Sequence, residues 1–262
     1  MTEHAPLEIA PVPYARMRMR WRSALRSLQA LLADPDDTAR AIEVNLAIGA
    51  RDFERSFRRF AASAEGRALL SERPSLAAAL SDRDALARLH PDSLGRAYLV
   101  YLDANAFRAT GLLELQHATQ ARWEREQGYP PIDPVRAWYR DRQVLAHDLF
   151  HVVTGIGTDD LGEATLLAFS QAQIGGRGNA LLTAGAAFEV LRVLGPRWLG
   201  YPWRAWRRGR RAVDLIALPW EELLPLRLST VRRLARVGEP EEMHPGGVVH
   251  GHRLGDGGYT PV

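Results

Sequence analysis

The chain contains no cysteine. Disulfides and thiolate ligands are excluded, so any metal must be held by nitrogen and oxygen donors. Lysine is missing too: the 34 basic residues are all arginine, a bias that codon usage accounts for as readily as function. Against 31 acidic residues they leave a net charge of only +3, too mild a surplus to argue for nucleic acid, and no such partner is expected. No stretch approaches the length of a membrane span. The opening residues MTEHAPLEIAPVP lack the basic and apolar regions of a secretory signal, which sets a cytoplasmic location as the expectation. No long Ser/Gly/Pro-rich linker divides the middle and no repeat is evident, so one domain is expected over 14–237. Flexible tails, rich in Pro, Gly and His, are expected at 1–13 and 238–262.

What is present is a globular composition, with 46% hydrophobic and 25% charged side chains, enough for a sizeable core. Helical spacing dominates, and no convincing alternating strand interrupts it. In WRSALRSLQALL, Trp21, Leu25, Leu28 and Leu32 recur every three or four positions, which builds one amphipathic face. ARAIEVNLAIG repeats the pattern and ends at Gly49, a candidate C-cap; DALARLH does so with Ser81 and Asp84 as candidate caps. Further helices are expected over 94–107, 112–127, 135–153, 163–174, 180–194 and 226–237. Pro130-Pro131 and then Asp133-Pro134 stop one helix and start the next, because proline suits a first turn but not a helix interior. The fold class expected is all-α, a single multi-helix bundle.

The strongest chemical signal is His147-Asp148-Leu149-Phe150-His151, on the helix that starts near Val135. At about 100° per residue His147 and His151 share a face one turn apart, with Asp148 beside them. A glycine-containing loop, Thr154 to Gly162, then reverses the chain and brings Glu163 back towards the histidines. Two imidazoles with carboxylates suit one divalent ion: zinc first, with iron, manganese or cobalt also fitting. Metalloproteases use a similar histidine pair, but Asp148 stands where they need the longer glutamate, which weighs against peptide hydrolysis. The spacing also admits a plainer arrangement, with the histidines packed or capping and Asp160 and Glu163 forming a capping box. Against it stands the cost of burying three polar side chains on an apolar helix unless something offsets their desolvation.

His147, Asp148, His151, eleven intervening residues and Glu163 also match His-Asp-x-x-His-x11-Glu, and with it the sequence resembles the coenzyme Q (ubiquinone) biosynthesis protein four family. SLGRAYLVYLDAN (93–105), WYRDRQVLAHD (138–148), LGE (161–163) and PWEELL (219–224) resemble that family as well. The resemblance implies that all four motif residues bind the metal. It further implies handling of a polyprenylated benzoate or phenol lipid, in particular removal of the ring carboxyl at C1 from a polyprenylated 4-hydroxybenzoate, with or without oxygen. It also implies an organising role among other ubiquinone biosynthesis enzymes at a membrane surface; a homodimer is compatible with it. Asp148 and Arg142 are the candidate catalytic side chains, Arg142 because a guanidinium one turn or so before His147 can bind a carboxylate bidentately. The same arginine could equally serve a structural ion pair.

A lipid substrate should leave other marks. From Arg197 to Arg211, RWLGYPWRAWRRGRR mixes Trp198, Tyr201, Trp203 and Trp206 with arginines, suiting peripheral attachment to an anionic membrane, here the inner face of the cell membrane. The segment could instead bury its tryptophans. The N-terminal YARMRMRWR is a weaker candidate for the same role, and His244, His250 and His252 are expected to be disordered rather than ligands. Two further readings complete the set. One is a non-catalytic scaffold or prenyl-lipid-binding protein whose metal only braces two helices. The other is a phosphohydrolase of the His-Asp type, which would need a further histidine and aspartate, for which His117 and Asp214 are the candidates.

Overall fold

Helix α9, Pro134–Thr154, is the element around which the others are arranged. Its start follows from local chemistry. The Asp133 carboxylate accepts hydrogen bonds from the backbone N–H groups of Val135 and Arg136, and Pro134 fills the first position, where no intrahelical donor is lost. It ends at Gly155, whose φ of +72° is cheap only for glycine. The structure, a computed structural model, describes residues 17–238 and 240.

Fourteen α-helices and no strand occur among the described residues, so the fold is all-α. In chain order they are α1 (Trp21–Ala33), α2 (Thr38–Ile48), α3 (Ala50–Ala62), α4 (Ala64–Glu72), α5 (Leu76–Ser81), α6 (Arg83–Arg88), α7 (Leu94–Asn105), α8 (Gly111–Gln127), α9, α10 (Asp160–Gln173), α11 (Arg177–Val193), α12 (Gly200–Arg211), α13 (Trp220–Leu223) and α14 (Leu228–Ala235). Helix α9 buries Tyr139, Leu145, Ala146, Leu149, Phe150, Val152 and Val153 in the main core, against α5, α7, α8 and α14. Burial of a side chain of this kind contributes about 1.5–3 kcal/mol. Beside this core α10 packs on α11 and α12, and α1 and α2 pack together and against α11.

Several local expectations need correction. Gly49 does end α2, but with φ of −94°, so the chain runs straight into α3. Asp82, not Ser81 or Asp84, caps α6, accepting from the Ala85 N–H at 2.8 Å. The tail expected from 238 begins docked, because the Gly238 carbonyl accepts from Arg208 at 2.8 Å. The tail at 1–13 and His244, His250 and His252 lie outside the described residues.

Candidate metal centre

His147 and His151 stand one turn apart on α9, and Glu163 reaches them from the first turn of α10. The reversal between the two helices is tight. Gly162 approaches Gly157 so closely that a Cβ at 162 would meet its carbonyl oxygen at 2.1 Å. Asp159 is the N-cap of α10, its carboxylate accepting from the Gly162 N–H at 2.9 Å. The plainer alternative, a capping box of Asp160 and Glu163, is therefore not the one formed; Asp159 is the cap, and the Glu163 side chain turns to the histidines.

The result is a three-donor cluster. Glu163 Oε1 lies 3.2 Å from His151 Nε2 and Oε2 lies 3.8 Å from His147 Nε2. One donor atom from each of the three residues falls within 4.8 Å of the others, a set that can hold a single divalent ion. His151 Nδ1 donates to the Ile156 carbonyl at 3.0 Å, which fixes the ring and leaves Nε2 to face Glu163. That Nε2 is buried and makes no aligned hydrogen bond. Two ring nitrogens and a carboxylate oxygen converging in a buried pocket are a donor set that a divalent ion takes, so the residues present fit the group.

Electrostatics sharpen this picture. Burial, aided by the charge on His151, lowers His147 to about 4, so its imidazole is neutral and its lone pair available at neutral pH. Burial also opposes the charge on His151, but the Glu163 carboxylate outweighs it and holds His151 above its ordinary range. Glu163 is correspondingly held below the usual carboxylate range, the two histidines overcoming its own burial.

Asp148, expected as a fourth ligand, is not in the cluster. Burial raises its carboxyl to about 6, with the nearby Glu163 carboxylate adding to the rise. The Tyr101 ring stacks on His151, with centroids 5.7 Å apart. Tyr101 lies within the family-like segment 93–105, yet nothing in its local spacing announces a site residue.

Arg142 requires a correction. It is buried, and its guanidinium is bidentate to Glu221 at 2.7 and 3.1 Å while also donating to the Ile216 and Leu218 carbonyls. With its donors spent on the protein, it is a structural clamp and not a substrate-binding group. The basic side chain that α9 does present beside the site is Arg140, two turns before His147 and on the same face, its guanidinium 5.4 Å from the Phe53 ring centre. The His-Asp phosphohydrolase reading fails on geometry. His117 is exposed and pairs with Asp141 at 2.8 Å, Asp214 caps the turn Leu215–Ala217, and neither joins the cluster.

His147 and Glu163 open onto a cavity of about 900 Å³. Phe107, Leu112, Val144, Phe150, Ala164 and Leu167 line it near the site, and Leu28, Leu31, Ile42 and Leu182 line its continuation between α1, α2 and α11. The wall is mostly apolar, so a long hydrocarbon chain could lie in it with a polar head at the cluster.

The outward segment 197–211 divides its aromatic residues. Trp198 and Tyr201 are buried, whereas Trp203 is 58% exposed and stacks with Trp206 at 5.2 Å. Arg208 is buried and holds the Thr154 carbonyl. Among the described residues no helix is long and apolar enough to cross a membrane.

The chain is similar in sequence to proteins of ubiquinone biosynthesis. A family model described as coenzyme Q (ubiquinone) biosynthesis protein Coq4 matches residues 10–124 and 129–241. The mitochondrial ubiquinone biosynthesis protein COQ4 of Phaeosphaeria nodorum is 26% identical over 183 residues, covering 68% of this chain and 57% of that protein. Its namesake from Eremothecium gossypii is 28% identical over 224 residues, covering 80% and 61%. The chain thus spans about three-fifths of the length of these curated relatives. A Nostoc punctiforme protein of known crystal structure, provisionally described as a ubiquinone biosynthesis protein, shares the fold with a TM-score of 0.62 at 21% identity, over 84% of this chain and 100% of that one.

Proposed function

Because the chain belongs to the coenzyme Q (ubiquinone) biosynthesis protein Coq4 family, we infer that it carries out metal-dependent removal of the C1 carboxyl from a polyprenylated 4-hydroxybenzoate intermediate. One observation carries the reading: a His147–His151–Glu163 cluster of converging nitrogen and oxygen donors opens onto a long, mostly apolar cavity. A divalent ion there would supply Lewis acidity towards a phenol or carboxylate oxygen or, if redox-active, would permit an oxidative course with dioxygen. Neutral His147, oriented His151 and ionised Glu163 are the side chains that would hold it. The cavity takes the prenyl chain and keeps water from the ring. In the non-oxidative course a proton adds to C1, the bond to the carboxyl carbon breaks, and its electron pair restores the aromatic ring as CO2 departs.

Peripheral membrane attachment belongs to the same reading. The outward face of α12 offers Trp203 and Trp206 with Arg204 and Arg210, each of which lies over a Tyr201 or Trp206 ring, a combination suited to an anionic interface such as the inner face of the cell membrane. A substrate carried in the membrane would explain why the cavity and that face occur in one protein. Association with other ubiquinone enzymes is proposed on family grounds.

The second reading is a lipid-binding scaffold without catalysis, favoured by the extent of the cavity beyond the cluster. Purified protein given a prenylated 4-hydroxybenzoate, zinc or iron(II), and oxygen discriminates the two. Release of CO2 that is lost in His147→Ala supports the enzyme; tight lipid binding with no CO2 under any of these conditions leaves the scaffold.

A further inference from the structure

The wall of the cavity is not apolar throughout. Helix α8 contributes Leu112, Gln116 and Gln120 to it, residues spaced four apart and hence stacked on one face of the helix. A channel for hydrocarbon alone would carry leucine at all three positions. Instead two of them are glutamines, each only 8% exposed. Among the described residues the Gln116 side chain has no hydrogen-bond partner. Gln120 donates to Glu124 at 2.7 Å, and its buried Oε1 has no partner. Unpaired buried amides are costly, so a fold with no use for them would be more stable with leucine in their place.

Their level in the cavity follows from the pairing of consecutive helices. Helices α8 and α9 are joined by 128–133, and His117 on α8 meets Asp141 on α9 at 2.8 Å. The chain therefore doubles back, and Gln116 stands level with the turn of α9 just before Gln143. That is roughly 8 Å along the axis from His147, about the span of an ion together with a para-substituted benzene ring. Gln143 is also on the wall, but its Nε2 is committed to the Tyr139 hydroxyl at 3.1 Å.

Resting on the function proposed above, we propose that Gln116 and Gln120 are specificity-determining residues that bind the hydroxyl para to the substrate's carboxyl. With that carboxyl at the His147–His151–Glu163 cluster, the hydroxyl oxygen accepts from the Gln116 amide N–H, and its O–H donates to the Gln120 amide oxygen. The prenyl chain runs on among Leu28, Leu31, Ile42 and Leu182. An aromatic acid without the hydroxyl leaves both amides unpaired, which is how a site rejects an analogue that it is large enough to admit.

Calorimetry on the full chain equilibrated with zinc tests this, with two ligands: a prenylated 4-hydroxybenzoate and the same prenylated benzoate carrying hydrogen at position 4. The wild type should prefer the hydroxyl compound by about 10-fold or more, the size of one hydrogen bond. Gln116→Leu should bring that preference close to one and Gln120→Leu should reduce it, both with zinc affinity unchanged. Because the lost amide was unpaired, Gln116→Leu should also keep or raise the Tm of the ligand-free protein; Gln116→Met repeats the test with a side chain closer in shape. A preference that survives in these Gln116 variants, a Tm that falls in both, or a wild type that binds the two acids equally overturns the inference and leaves the proposed function standing. A wild type that binds neither acid overturns both.

Discussion

Two buried polar clusters lie within about two turns of each other on α9, and they are built differently. Around Arg142 each charge meets a protein partner: Glu221 supplies both carboxylate oxygens and two carbonyls accept from two further N–H groups. Around His147 and His151 the polar atoms converge, yet one buried nitrogen has no aligned partner and the group opens onto a cavity. Desolvation costs are offset internally in the first case, which makes it architecture. In the second only the His151–Glu163 contact offsets them within the chain and the donors remain open to a partner from the cavity, which makes it a candidate site.

The contrast should break most sharply under substitution. Arg142→Ala leaves Glu221 without its buried partner and should cost about 3–5 kcal/mol, read as a lowered urea midpoint. His151→Ala should cost the metal-free protein far less and abolish metal uptake, read by elemental analysis. A result with the two roles exchanged would mean that Arg142 serves the site and His151 the fold. Next in size, zinc at about 100 times its Kd should stabilise the wild type by about 2.7 kcal/mol, a rise of roughly 5–10 °C in Tm, and should leave Glu163→Ala unmoved. On the cavity side, Ala186→Trp should narrow the apolar channel and weaken binding of a prenylated phenol by about 10-fold without altering zinc affinity, each measured by calorimetry.

The smallest expected effect concerns pH. Glu163 holds His151 above its ordinary value, so below that raised value the metal-free ring carries a proton that an incoming ion must displace. Metal affinity should therefore climb as pH rises above about 6.5 and level off once His151 is deprotonated. His147, lowered to about 4, adds no slope there. Titrations in buffers of differing ionisation enthalpy would count the proton released, and zinc affinity that stays flat with pH above about 6.5 would remove Glu163 from its assigned role.

Legibility in the sequence followed the range of the interactions. The start of α9 was readable at Asp133-Pro134, and the His147–His151 pair was readable because helix geometry is local. Helix α3 was passed over although Phe53, Phe57 and Phe60 have helical spacing, since its buried face also carries Asp52, Glu54 and Ser56, residues that read as solvent-facing. The partner of Arg142 lies 79 residues away, beyond any spacing argument, and the Tyr101 ring that stacks on His151 is equally out of its reach. The cavity left no sequence mark at all, because Leu28 and Leu182 would be leucines whether they met a core or a lipid.

The central claim is that His147, His151 and Glu163 jointly hold one ion, and metal stoichiometry tests it most directly. Protein purified without chelator, then equilibrated with zinc and desalted, should retain about one equivalent in the wild type and none in His147→Ala, His151→Ala or Glu163→Ala. Retention of a full equivalent by any of these three variants, or its absence from a folded wild type, would contradict the account.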